Sequence, residues 1–171
     1  MTRLALTAVV YGVPAPQGSK KANPIYRGSA KNGTRSFTGR VTLTEMSKKV
    51  APWREAVRDA VRDAIGLQSA HALWEGVLAG PVEVRVTFAL PRGKSVRRPW
   101  PITTPDLDKV VRATMDGITM GGAWADDKLA VRITTDKVYA GTPGALERPG
   151  AVIDLWALDG VVPEAHATIA P

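Results

Sequence analysis

Two stretches of this chain carry an apolar stripe at helical spacing, and alternating apolar–polar runs lie before, between and after them. Met46, Val50, Trp53, Val57, Val61 and Ala64 form one apolar face between about Thr44 and Ile65. Leu107, Val110, Val111, Thr114 and Ile118 form another between about Pro105 and Ile118. A helix with one apolar side must bury that side against another layer. The alternating runs supply the layer: residues 4–13 (Leu4, Leu6, Ala8, Val10), 81–90 (Val82, Val84, Val86, Phe88), 127–139 (Leu129, Val131, Ile133) and 150–157 read as half-buried strands. The order β-α-β-α-β-β predicts an α+β fold of two layers, a mixed four-stranded sheet with two main helices on one face.

With 171 residues there is chain for one domain with a real core, expected over 1–158, with 159–171 as a frayed tail. The absence of cysteine excludes a disulfide framework, a zinc finger and a thiol nucleophile. Two histidines, His71 and His166, are too few for a histidine-rich metal site. A bound metal must then be held by carboxylates, which selects hard cations such as Mg²⁺ or Mn²⁺. The apolar run 4–13 is far shorter than the ~20 residues of a spanning helix, so a cytoplasmic protein is expected.

The net charge of +7 is concentrated at the N-terminal side. Residues 1–44 hold Arg3, Lys20, Lys21, Arg27, Lys31, Arg35 and Arg40 and no acid, so the rest of the chain is balanced. Residues 14–44, rich in Pro, Gly, Ser and Lys with Tyr26 and Phe37 interleaved, are expected as a long basic loop after the first strand. A second acid-free loop, 91–98, carries Arg92, Lys94, Arg97 and Arg98. Such patches form an electrostatic footprint for a polyanion. Lys20, Lys21, Arg27, Arg92, Lys94, Arg97 and Arg98 are the expected contacts to such a polyanion.

The chemistry concentrates in residues 105–128, PDLDKVVRATMDGITMGGAWADDK. Helical spacing puts Asp106 at the helix mouth and Asp108 on its polar side, with Arg112 and Asp116 following at one-turn intervals. Asp126 and Asp127 stand where the Gly121-Gly122 turn hands over to the next strand. Taken singly, Asp106 is an ordinary helix cap and Asp126-Asp127 a polar strand start. Taken together, carboxylates drawn to one end of a helix repel one another and call for a cation between them. Such an ion can polarise a phosphate and generate hydroxide.

This segment resembles the RusA-type Holliday junction resolvases, endodeoxyribonucleases common in phages and prophages. Asp106-Leu-Asp108, Arg112 and Trp124-Ala-Asp126-Asp127 match that family's Asp-x-Asp, basic residue and Trp-x-Asp-Asp. Gly12-Val-Pro14-Ala-Pro16-Gln-Gly18 is similar to its Gly-x-Pro-x-Pro-Lys-Gly opening. The resemblance implies that Asp106, Asp108 and Asp127 bind Mg²⁺, with Asp126 adjacent, and that Arg112 takes the place of a usual lysine. Arginine keeps the charge but cannot donate a proton near neutral pH. It also implies a homodimer, since a four-way junction offers two symmetric strands, and branched DNA as the substrate, with the basic residues above and Lys109, next to Asp108, as DNA contacts and no small-molecule cofactor.

Two rivals compete with this reading. Asp106, Asp126 and Lys128 imitate the PD-(D/E)xK nuclease signature, which needs its first Asp on a strand rather than beside a helical stripe. A non-catalytic phage DNA-binding or structural protein would explain the basic arm and leave the four aspartates unexplained.

Overall fold

Gly117 and Gly121 lie one turn apart on the apolar side of the second helix, and they let it close tightly on the first. A Cβ at 117 would stand 2.6 Å from Val57 Cβ, and one at 121 would stand 2.6 Å from Val61 Cγ1. The two helices are α1, Val50–Ala70, and α2, Leu107–Gly121. Val50, Trp53, Val57 and Val61 of α1 are buried, as are Val110, Val111, Thr114 and Ile118 of α2. Trp53 Nε1–H donates to Thr114 Oγ1 across the helix pair at 3.1 Å, satisfying both groups in a dry interior.

The computed structural model describes residues 2–18, 20–28, 33–45 and 48–158, and for residues 20–21 and 43–45 the backbone alone. The expected tail 159–171, and the side chains of Lys20 and Lys21, lie outside the described residues. The strands are β1 (Thr2–Tyr11), β2 (Lys20–Arg27), β3 (Ser36–Glu45), β4 (Val82–Leu90), β5 (Ala130–Tyr139) and β6 (Gly150–Leu158). One four-stranded sheet runs in the order β1-β6-β4-β5. It is mixed: β6 is antiparallel to β1 and β4, while β4 and β5 are parallel, joined by the crossover that contains α2. Leu6, Ala8 and Val10 face Leu155, Ile153 and Ala151 in register, and Val84, Val86 and Phe88 continue the same apolar rows. These rows and the two helix stripes form the core. The expected α+β architecture is present.

On the other sheet face, Glu83 is only 3 % exposed because it accepts from Arg85 Nε at 2.7 Å and Arg132 Nη1 at 3.0 Å. The Arg85 guanidinium also lies 4.8 Å from the Trp156 ring centroid.

Four local expectations differ. The alternating side of β5 is not buried: Val131 and Ile133 are exposed on this edge strand. The stretch 14–44 is not one long loop: β2 and β3 pair antiparallel as a separate two-stranded sheet. Its described side chains are exposed apart from the half-buried Asn23, so no apolar–polar alternation marks it as strand. α1 begins at Val50 rather than near Thr44. That start keeps Pro52 in the first turn, where a missing N–H costs nothing; six residues earlier it would break the helix interior. Pro105 lies just outside α2, whose cap position is Asp106.

Candidate active site

Asp106 ends the preceding loop in extended conformation (φ −64°, ψ 134°), and its carbonyl accepts the first helical bond, from Val110 N–H at 3.1 Å. Its side chain makes no cap hydrogen bond. Instead Asp106 Oδ2 meets Lys109 Nζ at 2.8 Å, one turn along the helix. That hydrogen bond, with the charges of Lys109 and Lys137, holds the Asp106 carboxyl below the usual aspartate range. Lys137 reaches over from β5 and donates to the carbonyls of Thr103 and Pro105 at 2.9 and 3.0 Å, fixing the approach to the helix. On the other side Gln17 N–H donates to Lys109 O at 3.0 Å, so the Gly-Pro-rich segment after β1 lies against α2. Asp108 and Arg112 are exposed one turn apart on the same side.

At the far end, Gly122 closes α2 in the left-handed region (φ 85°), a conformation glycine takes without strain. The chain then turns so that Trp124 is buried, its Nε1–H on Thr119 Oγ1 at 2.7 Å. Burying Trp124 swings the next residues outward. Asp126 Oδ1 accepts Lys128 N–H at 2.9 Å, capping the single 3₁₀ turn Asp127–Leu129. This backbone bond, aided by the Lys128 charge, lowers the Asp126 pKa. Asp127 is exposed.

The expected gathering of carboxylates at one helix end is not what a single chain forms. Asp106 and Asp108 lie at the start of α2, whereas Asp126 and Asp127 line a depression of about 410 Å³ beside its last turns. Asp116 lines the same depression, and at 1.5 Å per residue it stands about 12 Å along the helix from Asp108. The glycine turn keeps the two aspartates at that end rather than returning them to the helix mouth. Among the described residues no three His, Cys, Asp or Glu side chains are grouped to hold a metal ion. The same separation leaves Asp106 apart from Asp126 and Lys128, so the PD-(D/E)xK arrangement is not formed either.

Two residues join the site that the sequence did not single out as ligands. Arg54 of α1 meets Asp116 at 2.6 Å and lines the Asp126–Asp127 depression. The signal for Asp116 was its spacing, two turns after Asp108; the signal for Arg54 was only its place in an arginine row. Among the other expected cations, Lys109 is engaged by Asp106. Arg92 is spent on its own loop, donating to the carbonyls of Val96, Arg97 and Arg98 at 3.1–3.3 Å. Lys94 and Arg97 are exposed on that loop, and Arg98 is bound to Tyr139 Oη at 3.2 Å. No helix among the described residues is long and apolar enough to cross a membrane. Every acidic donor at both ends of α2 is a carboxylate oxygen, the donor class a hard divalent cation takes.

A family model described as Endodeoxyribonuclease RusA matches residues 20–146, a span that includes all of α2 and both carboxylate pairs. No curated protein matches the chain.

Proposed function

The chain belongs to the RusA endodeoxyribonuclease family and is an enzyme that hydrolyses DNA; on that premise we propose that it resolves four-way (Holliday) junctions by symmetric nicking, as a Mg²⁺-dependent homodimer acting in recombination and repair. Mn²⁺ would substitute for Mg²⁺, and the setting is the cytoplasm of a bacterial host. The observation that carries this reading is that Asp106, Asp108, Arg112 and Asp127 all lie exposed within the matched span. Acids and a cation kept at the surface are open to a phosphate and its ion, and Asp106 would exchange its Lys109 partner for the ion.

Asp106, Asp108 and Asp127 would hold the ion, with Asp126 beside Asp127. Bound there, it would polarise the scissile phosphate and supply hydroxide near neutral pH. One chain separates the two carboxylate groups, and a two-fold pair of chains offers the remedy: Asp106 and Asp108 of one copy set against Asp127 of the other. Such a pair presents two equivalent sites to two equivalent strands. Arg112, fixed on the helix one turn from Asp108, contributes a permanent positive charge toward the phosphate as negative charge builds on its oxygens. Its guanidinium stays protonated, so the leaving oxygen takes its proton from water rather than from Arg112. The partly exposed Arg54–Asp116 pair links α1 to α2 and lines the same depression as Asp126 and Asp127.

The test is nicking of a synthetic four-way junction with and without Mg²⁺, beside a linear duplex of the same sequence. Wild type is expected to cut the junction symmetrically and only with the ion. Asp108→Asn is expected to lose cleavage while keeping or tightening junction binding, because one repulsive charge has gone. Near wild-type cleavage by Asp108→Asn would remove Asp108 from the ion-binding set.

A further inference from the structure

The β2–β3 ribbon carries an apolar feature that nothing in its own fold uses. Tyr26 and Phe37 face each other across the two strands in register, with ring centroids 5.9 Å apart and planes tilted by 59°. Cross-strand aromatic pairs ordinarily help bury a sheet face. Here they are 42 % and 54 % exposed, on a two-stranded sheet separate from the four-stranded one. An isolated two-stranded ribbon gains little stability of its own in water.

The surroundings of the pair are cationic. The Arg35 guanidinium lies 4.0 Å from the Tyr26 ring centroid, and Arg27 and Arg40 line the same open groove of about 600 Å³ as the two rings. Residues 14–44 contain no acid. Aromatic faces flanked by arginines are the two components from which single-stranded nucleic acid sites are built: rings stack on bases while cations track the backbone. Regular duplex offers such rings no base face, since each face is already covered by its neighbour. The branch point of a junction does.

We infer that the Tyr26–Phe37 pair is a stacking platform for an unstacked DNA base, with Arg27, Arg35 and Arg40 taking the flanking phosphates. The inference rests on the proposed action on branched DNA for its biological substrate, but the platform itself is testable without it.

The experiment compares the full-length protein with a Tyr26→Leu/Phe37→Leu double variant, titrating a labelled oligothymidylate and a linear duplex over a range of salt. Leucines keep an apolar cross-strand pair and every charge while removing the π faces. Affinity for the oligothymidylate is expected to fall by about tenfold or more, the weight of one stacked base. Duplex affinity and the slope of log affinity against log salt are expected to stay unchanged, because no phosphate contact is lost. Arg35→Ala, in contrast, should flatten the single-strand slope by about 0.7. Equal oligothymidylate affinity in wild type and the leucine variant would overturn the platform. Loss accompanied by a flattened slope would assign the effect to displaced arginines and overturn it as well. Self-association of wild type that the leucine variant abolishes, with no change in oligothymidylate binding, would hand the rings to a second copy of the chain. A protein that binds oligothymidylate as expected yet nicks no junction keeps the platform and loses the proposed function; one that nicks junctions with an idle platform does the reverse.

Discussion

Replacing Gly117 by alanine adds one methyl group where α1 and α2 are closest. That methyl carbon would stand 2.6 Å from Val57 Cβ, 2.7 Å from Val57 Cγ1 and 3.0 Å from the Arg54 carbonyl oxygen. Carbon atoms in contact prefer about 3.5–4.0 Å, so relief requires about an ångström of movement. None of the three atoms is the free end of a flexible side chain, and the helices themselves must part. Overpacking of this kind costs about 1–3 kcal/mol. Alanine returns about 0.8–1 kcal/mol through its better helix propensity. With a backbone oxygen and a β-branched carbon in the way, the upper part of the range applies, leaving a net loss of about 1–2 kcal/mol. For a chain of this size that lowers the melting temperature by about 2–8 °C. The parting also draws Arg54 away from Asp116, so nicking at a temperature where the variant is fully folded should fall by more than the unfolded fraction explains. Calorimetry and a junction-nicking assay on Gly117→Ala, Val57→Ala and the double variant form a closed cycle. Alanine at 57 removes the 2.7 Å Cγ1 contact but keeps the Cβ at 2.6 Å, so the relief is partial and the coupling favourable by about 0.5 kcal/mol. A melting temperature unchanged or raised in Gly117→Ala, or strict additivity in the cycle, would refute the close-contact argument.

The arginine hydrogen bonds to buried Glu83, that of Arg85 first, outweigh its burial and hold its carboxyl below the usual glutamate range. Their stabilisation is therefore fully present above the ordinary glutamate pKa of about 4.3 and is lost as pH falls through the lower native value. Glu83→Gln should flatten the acid limb of melting temperature against pH, and an acid limb identical to wild type would contradict this. For Arg112, alanine should slow nicking by about 10²–10³, the usual weight of one preorganised charge on a developing anion, and lysine by much less. Equal rates for alanine and wild type would leave Arg112 without a role in the reaction.

Legibility followed burial. Both helices and the strands β1, β4 and β6 announced themselves because each buries one side and so prints a period of 3.6 or 2 on the sequence; β5 showed the same alternation, although its Val131 and Ile133 are exposed. The described side chains of the ribbon β2–β3 bury neither face; its strands are paired by backbone bonds, and Pro24, Gly28 and Gly39 read as loop. The aspartates were legible as residues but not as an arrangement. Whether Asp126 and Asp127 stay by the last turns of α2 or return to its mouth depends on where the Gly122 turn and Trp124 send the chain, and no spacing encodes that. The Arg54–Asp116 contact was out of reach for a related reason. It depends on the register between two helices, set by Gly117 and Gly121, and glycine in a helix reads as a weak propensity rather than as a contact.

Among its described side chains, the β2–β3 ribbon contributes none to the buried cluster that holds the helices on the sheet. Its length, sequence and surface can therefore change with little effect on the stability of the body, while α2 tolerates almost no change along the line where it meets α1. Evolution can work the two parts at different speeds: the ribbon behaves as an interchangeable fitting, and the helix pair as the fixed mount that keeps its spacing whichever fitting is carried.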